Sequence, residues 1–290
     1  MFLTMIIPLR RRRAIPLDLF FEYWVNAHAA QIAARLPGIH DLWLHELDYD
    51  AGQLWPRVSD VESELAEEDR FEGIPEPAFV DEAGVQAFLA AAAPLMDDEP
   101  NIFEETVAYQ SIGDNSMTFV DRSEPNAAGG DRGIVKFLVF LQARDSADAF
   151  RAFATGELAP RLAASEHVLK LRQHLFEPYH DDYGGMDARG LSHAKTPEKQ
   201  YQGMVEIGFR DRMSFGAFAR SEAWAGLRDR YAEALRGAHA FAVPVTHRLR
   251  RDGELTLAGL RTPMVADLIE RVGAASQLEP AVVDLQMSSR

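Results

Sequence analysis

The sequence predicts an α+β chain in which one βαββαβ unit is used twice, the two open sheets facing each other as an intrachain α/β barrel with a helical extension at the C-terminal end. Three observations predict it. A stretch from Phe20 to Tyr49, an aromatic-rich helix stopped by Pro37-Gly38 and followed by a strand, returns in weaker form from Phe150 to Tyr179. At a constant offset of 130, Gly73, Glu76, Phe79, Asp81, Ala87 and Phe88 meet Gly203, Glu206, Phe209, Asp211, Ala217 and Phe218; average composition gives about one chance identity in such a window. The strands alternate, so each sheet has one leucine-rich face and one polar face.

In chain order, Phe2 to Leu9 is short and apolar, as a buried strand should be. Helix one spans Pro16 to Leu36: Pro16 and Asp18 suit a first turn, Phe20, Trp24 and Ala27 share a face, and Pro37-Gly38 ends it. Ile39 to Tyr49 is a strand with Leu42 and Leu44 on one side and Trp43 and His45 on the other. Asp50 to Arg70 is an acidic inserted loop. Phe71 to Phe79 is a strand, Asp81 to Pro94 a helix and Ile102 to Ser111 a strand, which completes a ferredoxin-like unit over residues 1–112. Gly113 to Arg132, with Pro125, Asn126 and a Gly-Gly pair, reads as a linker. The order then repeats over 133–252, with strands at Ile134, His167, Tyr201 and His239, helices at Ser146 and Asp211, and a polar loop from His180 to Gln200. Residues 253–290 have no counterpart; Pro263 to Ala275 is an amphipathic helix expected to cap the second half or reach a neighbouring subunit.

Composition excludes whole classes of function. Thirty Lys and Arg against 45 Asp and Glu give a net charge of -15, which repels nucleic acid and anionic membranes. The run Arg10 to Arg13 is a solvated strand end in an acidic chain. No apolar run has the length of a membrane span, and the opening MFLTMIIPL lacks the charge order of a secretory signal. Without a single Cys there is no disulfide and no thiolate chemistry, so a cytoplasmic location is expected.

Two sheets with helices on one face bury their bare faces against each other. The strand phase then points Trp43, His45, Glu76, Lys136, Arg172, His174 and Glu206 inward, and Leu42, Leu44, Leu169, Leu171 and Leu175 toward the helices.

The pattern FxxYWxxxHA at Phe20, Tyr23, Trp24, His28 and Ala29, followed by Leu36-Pro37-Gly38 and by FEGIPEPAFVD from Phe71, resembles the EthD-type domains of the dimeric α/β-barrel superfamily. The second half departs from the pattern, with Phe153 for Trp24 and Glu157 for His28. The resemblance implies barrel pairing, here within one chain. It implies little about chemistry, because relatives include cofactor-free oxygenases, lactone isomerases, decarboxylases and polyketide cyclases.

The residues themselves suggest acid–base work. A buried His beside a carboxylate is a pair whose proton affinities burial and mutual charge move toward neutral; His45 with Glu76 and His174 with Glu206 are the symmetry-related catalytic candidates, and the competing reading makes them hydrogen-bonded ties between strands. His28, Trp43, Tyr109, Arg172 and His247 are candidate substrate-binding residues, with Arg172 as an anion or carbonyl clamp. No metal is expected, since there is no HExxH spacing, and no cofactor, since phosphate loop, GxGxxG and GxSxG are all absent. The expected function is a cofactor-independent lyase or isomerase acting on a small apolar or aromatic oxygenated metabolite. The alternatives are a non-catalytic carrier of such a metabolite, a cofactor-free monooxygenase, and a barrel filled by its own side chains. A homodimer is a reasonable assembly for such a chain.

Overall fold

The computed structural model describes residues 1–123, 130–131, 133–180 and 191–287. Pro125 and Asn126 of the expected linker and most of the loop after His180 therefore lie outside the described residues.

In chain order the strands are β1 (Leu3–Ile6), β2 (Leu9–Arg11), β3 (Asp41–Asp48), β4 (Gly73–Phe79), β5 (Phe103–Thr106), β6 (Tyr109–Ile112), β7 (Ser116–Asp121), β8 (Val135–Ala143), β9 (Val168–Leu175), β10 (Gly203–Phe209), β11 (Leu235–Arg251) and β12 (Glu254–Leu255). Pro8 interrupts the first edge, splitting β1 from β2, because proline cannot donate to a ladder. Treated as continuous strands, β1/β2, β4, β3, β11, β8, β10, β9 and β5/β6/β7 follow one another around the sheet. The ring closes where β6 pairs with β1, β7 pairs with β9, and the Glu177 amide donates to the Gln110 carbonyl at 2.8 Å. The fold is the α+β, twice-used ferredoxin-like architecture expected from the sequence, with helices outside an antiparallel barrel.

Each half lends its last strand to the other. β11 is long enough to pair with β8 of its own half and then with β3 of the first half, while β7 leaves the first half to pair with β9. This corrects the linker assignment: residues 116–121 are barrel wall. Their composition hid them because Ser116–Asp121 buries one apolar side chain, Val120, and so lacks the alternation of a half-buried strand.

The inserted loops cross over too. After a short helix at Tyr49–Gly52, the acidic loop runs onto the second half, where Glu62 forms backbone bonds with Arg236 and Ala238. There Trp55 stands among Phe137, Phe218 and Trp224, with ring centres 5.6 to 6.1 Å away. In return, the loop following Leu191 reaches the first half, where Thr106 donates its amide to Ser192.

Helix one is regular from Leu17 to Tyr23, then π-helical from Trp24 to Ile32, a widened form that marks functional sites more often than chance. Phe20 stacks on Trp24 at 5.8 Å, and the Trp24 ring lies where a Cβ on Gly73 would come within 2.6 Å. Leu42 and Leu44 pack beneath it, as their strand phase requires. The C-terminal helices Leu257–Arg261 and Pro263–Val272 dock on this same first-half helix: Arg35 donates to the Gly259 and Leu260 carbonyls, and Asn26 accepts from the Met264 amide at 2.9 Å. That corrects the expectation of a cap on the second half. An amphipathic pattern says that a helix needs a partner and leaves the partner unnamed.

Trp55 is nearly buried whereas Trp43 is half-buried. Trp55→Ala should therefore lower unfolding stability by about 3–5 kcal/mol, the usual cost of emptying an aromatic core site, and Trp43→Ala by much less. Urea denaturation of both variants checks it; equal losses would mean that the crossing loop is not anchored by its tryptophan.

Candidate active site

The inward side chains fall into levels along the barrel. The floor is aromatic: Phe71, Tyr109, Phe140, Phe176, Tyr201 and Phe241 fill one end. Above it lies a charged belt. Arg172 donates to Glu76 through both terminal nitrogens and to Glu206 at 2.9 Å. Lys136 reaches Glu206 at 3.0 Å and Asp131 at 2.7 Å, and Lys170 shares Asp131 at 2.7 Å. Three cations thus face three carboxylates in one layer.

Burial alone would push the Glu76 and Glu206 carboxyls up. Their partners outweigh it, the Arg172 charge and then the His45 hydrogen bond at Glu76 and the Lys170, Lys136 and Arg172 charges at Glu206, and hold both well below the usual carboxylate range. The histidines go the other way. Burial lowers His45, and it takes His174 down to about 4, so both rings are neutral near pH 7. The belt is charge-matched without them.

His45 Nε2 lies 3.2 Å from Glu76 and its Nδ1 lies 3.1 Å from Thr246 Oγ1. With Glu76 ionised, Nε2 carries the proton and Nδ1 accepts from the threonine hydroxyl, which in turn accepts from Lys136. Thr246 and Ser116 occupy equivalent places on the two lent strands, and His174 Nδ1 accordingly meets Ser116 Oγ at 3.1 Å. The expected His174–Glu206 bond is absent. Lys136 stands where the first half has Thr4, and Arg172 where it has Trp43, so the cations draw Glu206 away and leave His174 Nε2 without a partner among the described residues.

Above the belt the barrel opens into a cavity of about 630 Å³ bordered by Trp43, Lys170, Arg172 and Arg248. The guanidinium carbons of Arg172 and Arg248 lie 5.1 and 4.5 Å from the Trp43 ring centre. Arg248 is held by Asp41 and the other two cations by the belt. This mouth presents matched charges, while His45, His174, Glu76 and Glu206 lie beneath it at 1% exposure or less.

The remaining sequence candidates are placed elsewhere. Tyr109 belongs to the aromatic floor, stacked on Phe176 at 4.7 Å. His247 points away from the barrel interior and bonds Glu46 at 3.0 Å, because its neighbour Thr246 takes the inward place on β11. His28 lies on the far side of the sheet, under helix one.

There it enters a constellation that sequence reasoning missed. Helix Ala93–Ile102 carries Asp98 to the His28 ring and Glu99 to the apolar cleft that His28 borders. Asp98 accepts from His28 Nδ1 and from the Tyr23 hydroxyl, each at 2.8 Å, and from Asn101 at 3.0 Å. The His28 bond above all lowers the Asp98 carboxyl to about 2. Phe103 stands edge-on to the imidazole at 5.2 Å. With Nδ1–H fixed on a carboxylate, His28 presents Nε2 as an acceptor, the arrangement that orients a general base.

Glu99 is its opposite. It borders the same apolar cleft, has no hydrogen-bonding partner among the described residues, and is pushed up to about 8 by burial first and the Asp98 charge second. The cleft has two adjoining lobes of about 60 Å³ each, walled by Ile7, Pro77, Phe88 and Leu95. His193, carried over on the loop from the second half, closes one lobe beside Thr106, Nδ1 to Oγ1 2.9 Å. The equivalent space in the second half is taken by Trp55 and its aromatic neighbours, and the residue in place of His28, Glu157, pairs with Arg230 near the surface. One half keeps a cleft and the other has filled it.

No protein-family model and no curated protein matches the chain. Solved structures match its fold. A proposed monooxygenase from Fusobacterium nucleatum aligns over 87% of this chain and 96% of its own, at 8% identity and a TM-score of 0.52. An anthrone oxidase-like protein aligns over 87% and 94%, at 14% identity and 0.51. These likenesses define the class, a ferredoxin-like α/β-barrel protein, and at such identities they carry the fold alone. No helix among the described residues is long and apolar enough to cross a membrane.

The belt yields a test of its own. A carboxyl held below its unfolded value near 4.5 stabilises the fold above that value and loses the contribution as pH falls through the folded value. Glu206→Gln should cost about 3–5 kcal/mol at pH 7, because it strands buried cations. The gap between variant and wild type should narrow at pH 4 and below. Urea unfolding at a series of pH values measures it; a pH-independent gap would mean that Glu206 is not ionised in the barrel.

Proposed function

We propose that the chain is an acid–base enzyme for a small, largely apolar oxygenated metabolite, with its reaction centre in the cleft between helix one and the sheet. The observation that carries this reading is the pairing in one apolar space of a carboxylate-backed imidazole and an unpartnered carboxylic acid with its proton affinity raised to about 8. A carboxyl that keeps its proton near neutral pH beside an imidazole oriented by a second carboxylate is what proton relay requires.

His28 Nε2 takes a proton from a carbon beside a carbonyl, with Asp98 stabilising the imidazolium. Glu99 gives its proton to the carbonyl oxygen as charge gathers there. Return of a proton to a different carbon completes an isomerisation, and loss of a β-oxygen substituent instead completes an elimination. The lyase or isomerase chemistry expected from the sequence is thereby kept, and its residues change from the inward strand pairs to His28, Asp98 and Glu99. The motif that carries the EthD-like resemblance then includes the base itself, which supports placing the chain near that family. His45, Glu76, His174 and Glu206 are assigned to holding the barrel together.

The fold likeness to a proposed monooxygenase favours a second reading. The same proton removal leaves a carbanion that molecular oxygen can attack, and oxygen uptake during turnover distinguishes it from isomerisation.

His28→Ala should lower kcat/KM by about 10²–10⁴-fold, the usual contribution of a positioned base. An acid that must be protonated makes activity fall as pH rises through about 8, and Glu99→Gln should abolish that limb. The pH profile of kcat/KM for wild type and variant measures both effects. Undiminished activity in His28→Ala together with an unchanged alkaline limb in Glu99→Gln would remove this mechanism.

A further inference from the structure

We propose that the end of the barrel opposite the charged mouth holds a separate ligand site, for a small uncharged planar molecule bearing a carbonyl oxygen. A cavity of about 280 Å³ opens there, beneath the aromatic floor, and Phe71, Tyr201 and His239 border it. It shares no bordering residue with the cleft under helix one.

His239 is 3% exposed, and one ring nitrogen is accounted for: Nδ1 lies 2.9 Å from the Tyr201 hydroxyl. Burial raises the Tyr201 phenol well above its ordinary value and lowers His239 to about 4. A protonated phenol donating to a neutral imidazole places the remaining proton on Nε2. Nε2 has no partner. A buried donor left unmade carries a desolvation penalty, and the cavity bordering the ring is where an acceptor can enter.

The place of a side chain on Gly237 is taken by its neighbours. A Cβ on Gly237 would stand 3.3 Å from His239 Cε1 and 2.6 Å from Gln142 Oε1. Glycine there lets the imidazole and the Gln142 amide pack against the β11 backbone, which holds the His239 ring at the border of the cavity.

The wall chemistry selects a neutral ligand. Lys195 already bonds Glu105 at 3.0 Å while lying 5.6 Å from the centre of the Phe71 ring. Lys199 holds Asp69 at 2.6 Å, and Arg236 donates to the Ala143 and Glu198 carbonyls at 3.2 and 2.7 Å. Every cation at this end is engaged, and acidic side chains stand among them, so a free carboxylate gains no unpaired partner. The Phe71 and Tyr201 rings offer aromatic surface to a flat body.

Benzamide, one ring and one neutral carbonyl, is the probe, with benzoate as its charged counterpart. In the full chain labelled with ¹⁵N-histidine, benzamide should shift the His239 Nε2 resonance saturably and leave those of His45 and His174 in place. His239→Phe and Gly237→Ala should each weaken binding about tenfold, the loss of one buried hydrogen bond. The wild-type titration stands even where a variant fails to fold. A His239 resonance unmoved by benzamide, benzamide affinity undiminished in a folded His239→Phe chain, or benzoate binding as tightly as benzamide would each overturn the proposal.

Discussion

One guanidinium ties the two halves together. Arg172 leaves β9 of the second half and bonds Glu76 of the first half and Glu206 of its own, so it spans the pseudo-twofold relation at the centre of the barrel. A buried ion pair is a weak source of net stability, since desolvation offsets attraction, but removing one member leaves a charge stranded in a medium of low dielectric. The belt therefore acts less as glue than as a condition. The sheets can close only in the register that brings Glu76, Glu206, Lys136 and Arg172 to one level. The lent strands serve the same end, because Thr246 and Ser116 supply the hydroxyls that keep both belt histidines in a neutral tautomer.

The architecture was legible in the sequence because duplication writes itself twice. Glu76 and Glu206 share an offset with the glycines and phenylalanines around them, and the period-two strand phase sent them inward as the structure does. The pairing of His174 with Glu206 was misread for a physical reason. Symmetry of sequence implies symmetry of bonding only where the neighbours are also copied, and Lys136 and Arg172 replaced Thr4 and Trp43. The strand inside the supposed linker escaped because an exposed edge needs few apolar residues. The cleft was legible only in part: His28 stood in a recognisable motif, whereas Asp98 and Glu99 lie in an acidic helix end seventy residues away, where charge is ordinarily solvated. What distinguishes Glu99 is its environment, and environment is a property of the fold.

Duplication also explains why the halves now differ. Two copies of an open sheet satisfy each other's bare faces, so selection for closure acts on both, and the belt is the shared product. The outer, helix-covered faces are independent of that closure. On the second half the crossing loop fills the space with Trp55, which packs among four aromatic residues. On the first half the reciprocal loop brings His193 to a lobe that stays open. Each loop is thus a plug for the other half, and its leading side chain decides whether the space beneath becomes core or cleft.

The stretch from Phe20 to Tyr49 divides along the same line. Its strand turns His45 into the belt, where the ring is neutral and bonded on both nitrogens. Its helix turns His28 the other way, into an apolar space, where a carboxylate holds one nitrogen and leaves the other free. The same side chain is thus structural on one face of the sheet and available for chemistry on the other. The difference lies in what stands across from each ring: a matched set of charges that uses up every donor, or a wall of Ile7, Pro77, Phe88 and Leu95 that offers none. Proton transfer requires the second kind of surroundings, since a base whose lone pair is already engaged must break a bond before it can act.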